Sequence, residues 1–312
     1  MSLAGKHALL NRRFSTAIGI LLALLLTGPE AAWAELPDNV VRLVDEGDFM
    51  GAENFLRDQV AASEPAGGEA LIRALQNIGE FYLTQRRDME AAPEMERALS
   101  LAEEVFGPDS PDLAPILINL ATAYDGIFRQ EEALQAANKA LLITEQAKGP
   151  SSEALLPVLD VLAHTQQEQG LHEQAEASLQ RALHLAENLY GADDPRIVAH
   201  LHALAALFKT EGDYLQAESL CRQGVGILES ALGPESTEVA DCLVSLSNLY
   251  RAMDRNQDAA EQLERALEIL EKNLGPKDKQ VVKVMKSLAA LQRRLGHNSE
   301  AKQLEERAMS AH

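Results

Sequence analysis

Five glycines recur along this chain at a constant interval of 42 residues. They are Gly107, Gly149, Gly191, Gly233 and Gly275. Four of them precede a proline, and glycine followed by proline after an apolar, periodic segment indicates the end of a helix. Two series of small residues keep the same interval: Ala91, Ala133, Ala175, Ala217, Ala259 and Ala301, and, seven residues later, Ala98, Ala140, Ala182, Gly224, Ala266 and Ala308. A repeat this regular determines how the whole chain is organised.

Each 42-residue unit is predicted to be a helical hairpin. Apolar residues at spacings of three and four, such as Leu75, Ile78 and Tyr82, indicate a first helix. A polar break and a second helix that carries the alanines follow it; the break falls at Arg87-Asp88, Gly126, Gly170, Gly212-Asp213, Asp254 or Gly296. Neither helix can bury its apolar stripe alone, so consecutive hairpins must stack into an all-α solenoid. The predicted repeats one to six are 65–106, 107–148, 149–190, 191–232, 233–274 and 275–312, preceded by a compact hairpin over 35–64.

This pattern resembles the tetratricopeptide repeat, in which a large apolar residue, Leu with a small residue, and an aromatic residue precede the alanines. The 42-residue period and the phrase Leu232-Gly233-Pro234-Glu235 resemble in particular the longer repeats of the kinesin light chain subgroup. The resemblance implies a right-handed superhelical solenoid without enzymatic activity. It also implies that the first helices line a concave face, in which extended peptides or helices bind.

Two repeats depart from the pattern. Gln166 in repeat three and Gln292 in repeat six replace the aromatic residue. For repeat three we expect either a softer junction or tolerated sequence drift. For repeat six, polar character is typical of the cap of a solenoid.

Residues 1–34 are predicted to be a secretory signal. Lys6, Arg12 and Arg13 precede an apolar run of ten residues, and Ala32-Trp33-Ala34 offers small residues at a cleavage site. The run is about half as long as a membrane-spanning helix needs, so retention as an anchor is the weaker alternative. We expect an exported protein, periplasmic or secreted, of a Gram-negative bacterium, with no stable membrane span after cleavage.

The chain is acidic, with a formal net charge of −20. A protein that binds polyphosphate needs a basic footprint, so this charge argues against nucleic acid as a partner. Residues 275–312 differ from the rest, because they carry eight basic and only four acidic residues. Lys283, Lys286 and Arg293 recur there at helical spacing, with Arg294 beside them, so an acidic partner segment could dock at this end. The alternative is a solubilising polar cap.

The repeat register also gives candidate groove residues. The family often places an Asn just before the Leu of the first helix, and Asn77 and Asn119 match that position, whereas the later repeats do not. The other candidates are Arg73, Gln76, Glu80, Thr122, Asp125, Asp160, His164, Gln167, His202, Lys209, Asn248 and Arg251.

The histidines and cysteines leave alternatives open. His164 and His202 are expected to face the groove, and a cluster of histidines in repeats three and four would suit a metal-binding or enzyme-accessory protein, although no motif with metal-ligand spacing is present. Cys221 and Cys242 lie on adjacent predicted helices, where they form either a disulfide or two separate buried thiols.

No catalytic or cofactor-binding motif is present in the sequence. The sequence therefore predicts an exported, non-enzymatic scaffold that holds a peptide or protein segment and needs no cofactor. A structural module for self-association is a further alternative.

Overall fold

The computed structural model describes residues 36–311, in which the regular structure is entirely helical, with 14 α-helices and two short 3-10 helices. The predicted signal at residues 1–34 lies outside the described residues. The chain divides into two compact units between Leu185 and Ala186. None of the described helices is both long and apolar enough to cross a lipid bilayer.

The first unit contains the compact hairpin and repeats one to three. Each hairpin pairs two consecutive helices, and the first helices of repeats one, two and three are neighbours. The helices are α1 (Asp38–Asp45), α2 (Phe49–Ser63), α3 (Gly68–Thr84), α4 (Asp88–Phe106), α5 (Ala114–Gly126), α6 (Gln130–Lys148), α7 (Leu155–Glu168) and α8 (His172–Tyr190), whose last residues belong to the second unit.

The second unit contains repeats four to six. Its helices are α9 (Val198–Glu211), α10 (Tyr214–Leu232), α11 (Thr237–Ala252), α12 (Asn256–Leu274), α13 (Lys279–Arg294) and α14 (Asn298–Ser310). The odd-numbered helices α9, α11 and α13 are the first helices of their repeats.

The 42-residue period reflects a structural device at the end of the hairpins of repeats one to five. Gly107 ends α4 with a φ of 93°, a left-handed conformation that favours glycine. Three residues later, the Ser110 hydroxyl accepts a hydrogen bond from the backbone N–H of Asp112. A Ser or Asp stands three residues after each of the five glycines. Its side chain accepts a hydrogen bond from a backbone N–H at the start of the next helix. The glycine thus ends one hairpin and the polar residue starts the next.

The turn within each hairpin also needs a left-handed residue. Gly170, Gly212 and Gly296 supply it in repeats three, four and six. Arg86, Phe128 and Asp254 adopt the same conformation with φ values of 57°, 64° and 58°.

The prediction of Gly126 as the break in repeat two is corrected. Gly126 is the last residue of α5, and a Cβ on it would lie 2.3 Å from Cγ of Asp88, so this glycine makes room for a buried carboxylate. Phe128 is the left-handed residue of that hairpin.

The repeated alanines form the tightest contacts of the core. Ala91, Ala133, Ala175, Ala217, Ala259 and Ala301 are all fully buried, as are Leu75, Leu201 and most of the first-helix stripe. A small side chain at this position lets the two helices of a hairpin approach closely. The predicted all-α fold of stacked helical hairpins is confirmed.

Gln166 and Gln292 occupy the aromatic position as buried polar side chains. The carboxamide oxygen of Gln166 accepts a hydrogen bond from the Ser178 hydroxyl at 2.8 Å. Gln292 donates to Glu264 at 2.8 Å and contacts the His297 ring at 2.7 Å. Each carboxamide is therefore satisfied inside its own hairpin or by the preceding one.

Candidate functional site

A groove of about 760 Å³ lies against α13 in the last repeat. Six cationic side chains line it: Arg251, Lys277, Lys279, Lys283, Lys286 and Arg294. The remaining lining residues are small or apolar: Val282, Ser287, Ala290, Leu291 and Ala311. No acidic side chain lines the groove, which we call the cationic groove.

The helical register explains why these residues meet. Lys279, Lys283, Lys286, Ala290 and Arg294 follow one another at spacings of four, three, four and four, so they lie along one face of α13. The neighbouring first helix, α11, contributes Arg251. The result is a row of positive charges beside a small apolar surface.

The lysines of the cationic groove are not neutralised by ion pairs. Within residues 36–311, Lys277, Lys279, Lys283 and Lys286 form no salt bridge. Arg294 lies 3.4 Å from the carboxylate of Asp254, but both side chains are largely exposed and such a pair contributes little. The charge of the groove therefore remains available to a ligand.

The carboxyl of Asp241 affects the net charge near the cationic groove. Burial raises the pKa of Asp241 on α11 to about 6, with a further upward contribution from Glu238; a hydrogen bond from Gln280 and the charge of Lys283 act in the opposite direction. A carboxyl with this pKa is partly protonated near pH 6, so it offsets the positive groove less than an ordinary aspartate would.

Arg293 does not belong to the cationic groove, although the sequence grouped it with Lys283 and Lys286. Its guanidinium donates two hydrogen bonds to Glu305 of α14, at 2.9 and 2.7 Å. Arg294, one residue further, lines the groove instead. Arg294 therefore takes the place of Arg293 beside Lys283 and Lys286.

The predicted groove residues of the first unit pair largely with one another. Asn119 donates to Glu80 at 2.9 Å, so its amide group is already used between neighbouring first helices. Asp125 is buried and lies 2.9 Å from His164. Burial lowers the pKa of His164, but the Asp125 carboxylate outweighs it and the net shift is upward.

The remaining candidates do not line the cationic groove. Arg73 is exposed and 3.7 Å from Glu69, and Thr122 bonds to the carbonyl of Ile118 in its own helix. Gln76, Asn77, Asp160, Gln167 and Lys209 are half-buried, whereas Asn248 is exposed and accepts a 3.4 Å hydrogen bond from Arg251.

His202 is buried rather than facing a groove, which corrects the prediction. Its side chain is 7% exposed, and its Nε2 lies 3.1 Å from the sulfur of Cys242 in the next repeat. Gly224 replaces the alanine of the other repeats here, and a Cβ on it would meet His202 Nε2 at 3.4 Å. That distance is an ordinary van der Waals contact, and the tighter contact of such a Cβ would be with Cγ1 of Val198 at 3.2 Å.

Cys221 and Cys242 are both free and buried in the structure, which agrees with the alternative of two separate buried thiols. Burial raises the pKa of Cys221 to about 11 and shifts that of Cys242 in the same direction. Both groups are therefore neutral thiols at physiological pH, which makes them poor nucleophiles.

The histidine-rich repeats hold no preformed metal centre in the described residues, where no group of three or more His, Cys, Asp or Glu side chains could hold an ion. His164 is paired with Asp125, and His202 with Cys242.

Lys277, Lys279 and Arg294 were missing from the predicted site residues. The excess of positive charge in residues 275–312 was their signal, and the spacing of Lys279 from Lys283 repeats that of a helix face.

Comparisons with known proteins agree with this architecture. The family profile described as tetratricopeptide repeat matches residues 71–146, 153–230, 199–272 and 244–312. No curated protein sequence matches the chain.

Solved structures with the same fold have low sequence identity. A kinesin light chain protein with nearly identical TPR-like repeats from Podosopora anserina is 22% identical, with a TM-score of 0.56, covering 64% of this chain and 95% of its own. BtubC (BKLC) from P. vanneervenii is 20% identical, with a TM-score of 0.56 and coverage of 76% and 92%. A Rap protein complexed with Competence and Sporulation Factor is 18% identical, with a TM-score of 0.56 and coverage of 83% and 79%.

Proposed function

Because this chain belongs to the tetratricopeptide-repeat family, we propose that it is an exported, non-enzymatic scaffold that binds a segment of another protein. The cationic groove carries this proposal. It is a concave surface with six positive side chains and no acidic one. Its lining combines apolar and polar groups, as is typical of binding sites.

An acidic protein segment is the ligand that fits this charge. Carboxylates can approach the unpaired lysines closely and form charge-assisted hydrogen bonds there. A long polyanion is a poorer ligand, because the chain outside residues 275–312 is strongly acidic and repels it. A short segment confined to the groove lies beyond most of that repulsion, since salt screens charges over about 10 Å.

The fold itself supports a binding function. The Rap protein shares this fold and was solved with Competence and Sporulation Factor bound. In the present chain, three groups whose pKa is shifted by burial, His202, Cys221 and Cys242, are buried between helices. No described residues combine a nucleophile, a base and an open pocket, which favours binding over catalysis.

Export is proposed from the first 34 residues. Their basic start, short apolar run and Ala32-Trp33-Ala34 are typical of a signal that a peptidase removes. The mass of the mature protein tests this directly. Cleavage predicts an N-terminus at Glu35, whereas a chain that keeps its first residues contradicts the proposal.

Site-specific photocrosslinking in the native cell tests the binding function. A photoreactive amino acid replaces Ser287, which lines the cationic groove, and in a control it replaces the exposed Lys302 of α14. The proposal predicts a discrete crosslinked protein at the groove position only, with the crosslink in an acidic segment. Identical products at both positions, or none at position 287, would contradict it.

A further inference from the structure

Within residues 36–311, no further repeat packs on the face of α13 that bears the cationic groove. Three earlier first helices, α3, α9 and α11, use positions of this face to contact the first helix that follows in their own unit. Asp241 stands 42 residues before Lys283 and accepts a hydrogen bond from Gln280 of α13. His202 stands two repeats before Lys286 and contacts Cys242 of α11.

The same holds for the position of Ala290. Glu80 stands five repeats before it and accepts a hydrogen bond from Asn119 of the next first helix. In both units, therefore, this face of a first helix packs against another helix. On α13 the same face is exposed at Lys283, Lys286 and Ala290.

The chemistry of this face changes at the last repeat. One repeat earlier, the positions of Lys279, Lys283, Lys286 and Arg294 hold Thr237, Asp241, Val244 and Ala252. A solubilising cap needs polar groups of either sign, and on most surfaces the two signs are interspersed. Here every charged residue of the lining is positive.

We propose that the cationic groove binds an amphipathic α-helix of a partner protein, which packs on α13 as an added first helix. Its acidic side chains recur at spacings of four and three residues and pair with Lys279, Lys283 and Lys286. Small residues between them pack on the exposed Ala290. This inference rests on the proposed function and specifies the shape of the ligand.

The spacing of the lysines distinguishes a helix from an extended strand. At 1.5 Å per residue, Lys279 and Lys283 are separated along α13 by about 6 Å, and Lys283 and Lys286 by about 4.5 Å. A helix with acidic residues at the same spacings repeats both distances. An extended strand presents side chains on one face only about every 6.8 Å, so it matches the first interval and misses the second.

Two peptides of identical composition test the shape of the ligand. Both are alanine-rich, about 18 residues long, and contain the same number of glutamates. The first peptide has its glutamates at spacings of four and three. The second peptide has its glutamates at alternate positions. Each peptide also contains one proline, which stands at the N-terminus of the first peptide and at the centre of the second, where it breaks the helix.

Binding to the purified protein is measured by fluorescence anisotropy, with the Lys283→Glu/Lys286→Glu variant and a Lys302→Glu control. The inference predicts that the helical peptide binds at least about tenfold more tightly than the extended one. It also predicts that only the groove variant loses this preference.

Other outcomes separate the two proposals. Equal affinity for both peptides overturns the inference that the ligand is a helix, and it leaves the proposed function intact. No binding of either peptide, or tighter binding of a heparin oligosaccharide or of anionic vesicles, overturns both.

Discussion

The guanidinium of Arg129 lies over the ring of Tyr124, with its Cζ 4.1 Å from the ring centroid. Both groups also bind one carboxylate of the preceding repeat. The Tyr124 hydroxyl donates to Glu96 at 2.8 Å, and Arg129 Nη1 donates to the same oxygen at 2.6 Å. Burial raises the pKa of Tyr124 to about 12, so the hydroxyl remains a donor. The cluster joins α4, α5 and the residue that precedes α6.

The same cluster recurs in the two other repeats that have a tyrosine at this position. Tyr82 and Arg87 share Glu53, and Tyr250 and Arg255 share Glu218. Repeat three has Gln166 at the tyrosine position and Leu171 at the arginine position, so the cluster is absent there and Gln166 bonds to Ser178 within its hairpin. The expectation of a softer junction at repeat three acquires a physical basis, although it stays a prediction.

Removing one hydroxyl should weaken such a cluster measurably. Tyr250→Phe deletes the donor to Glu218 and the acceptor of a 2.7 Å hydrogen bond from Arg222. We expect the free energy of unfolding in urea to fall by about 1 kcal/mol. Tyr214→Phe removes a half-buried hydroxyl outside the cluster and should leave the midpoint unchanged. Equal effects of the two substitutions would show that the cluster adds nothing.

Overpacking tests the alanine contacts. Ala217 is fully buried in α10, so Ala217→Leu should cost about 1–3 kcal/mol of stability. Leu215→Ala, two residues away at a position that is 78% exposed, should cost less than about 0.5 kcal/mol. A stability loss for Ala217→Leu no larger than that of Leu215→Ala would be incompatible with the helix packing.

The hairpin turns offer a stabilising substitution. Phe128 is 71% exposed and holds a left-handed conformation that glycine adopts without strain. Phe128→Gly should therefore raise stability by about 0.5–1 kcal/mol, the relief of strain exceeding the entropy cost of glycine. Gly170→Ala at the equivalent turn should lower it. If both substitutions shift the thermal midpoint in the same direction, backbone strain does not govern these turns.

His202, which is buried, and His164, which is half-buried, should give stability opposite dependences on pH. Burial lowers the pKa of His202 to about 4, against about 6.5 in the unfolded chain, so its contribution is complete above pH 6.5 and is lost as the pH falls towards 4. The pKa of His164 is raised by Asp125 despite burial, so its contribution is present at low pH and is lost as the pH rises through the folded pKa.

Urea unfolding between about pH 4 and 8 separates these two contributions. The slope of stability on the acidic side should flatten in His202→Gln and persist in His164→Gln. On the alkaline side, the slope should flatten in His164→Gln and persist in His202→Gln. Unchanged slopes in both variants would mean that neither imidazole changes its protonation on folding.

The sequence predicted the fold well because the period of 42 residues carries the burial pattern. The alanines and the first-helix leucines are buried in every repeat for the same local reason, so one register identifies them all. The device that begins each hairpin, a Ser or Asp three residues after the glycine, was visible in the same register but was missed.

The site was predicted less completely because it depends on contacts between residues far apart in sequence. Whether Arg293 or Arg294 lines the cationic groove depends on the position of Glu305 in the following helix. His202 is buried against Cys242, which is 40 residues away in sequence. A linear register does not contain these distances.

A charge-swap experiment tests the central claim most directly. The affinity of the purified protein is measured for the helical glutamate peptide and for its lysine counterpart, with wild type and with Lys283→Glu/Lys286→Glu. The account predicts that wild type binds the glutamate peptide and that the variant binds the lysine peptide, each at least about tenfold more tightly than the other combination. Folded variants that leave both affinities unchanged would contradict a role for the cationic groove in binding.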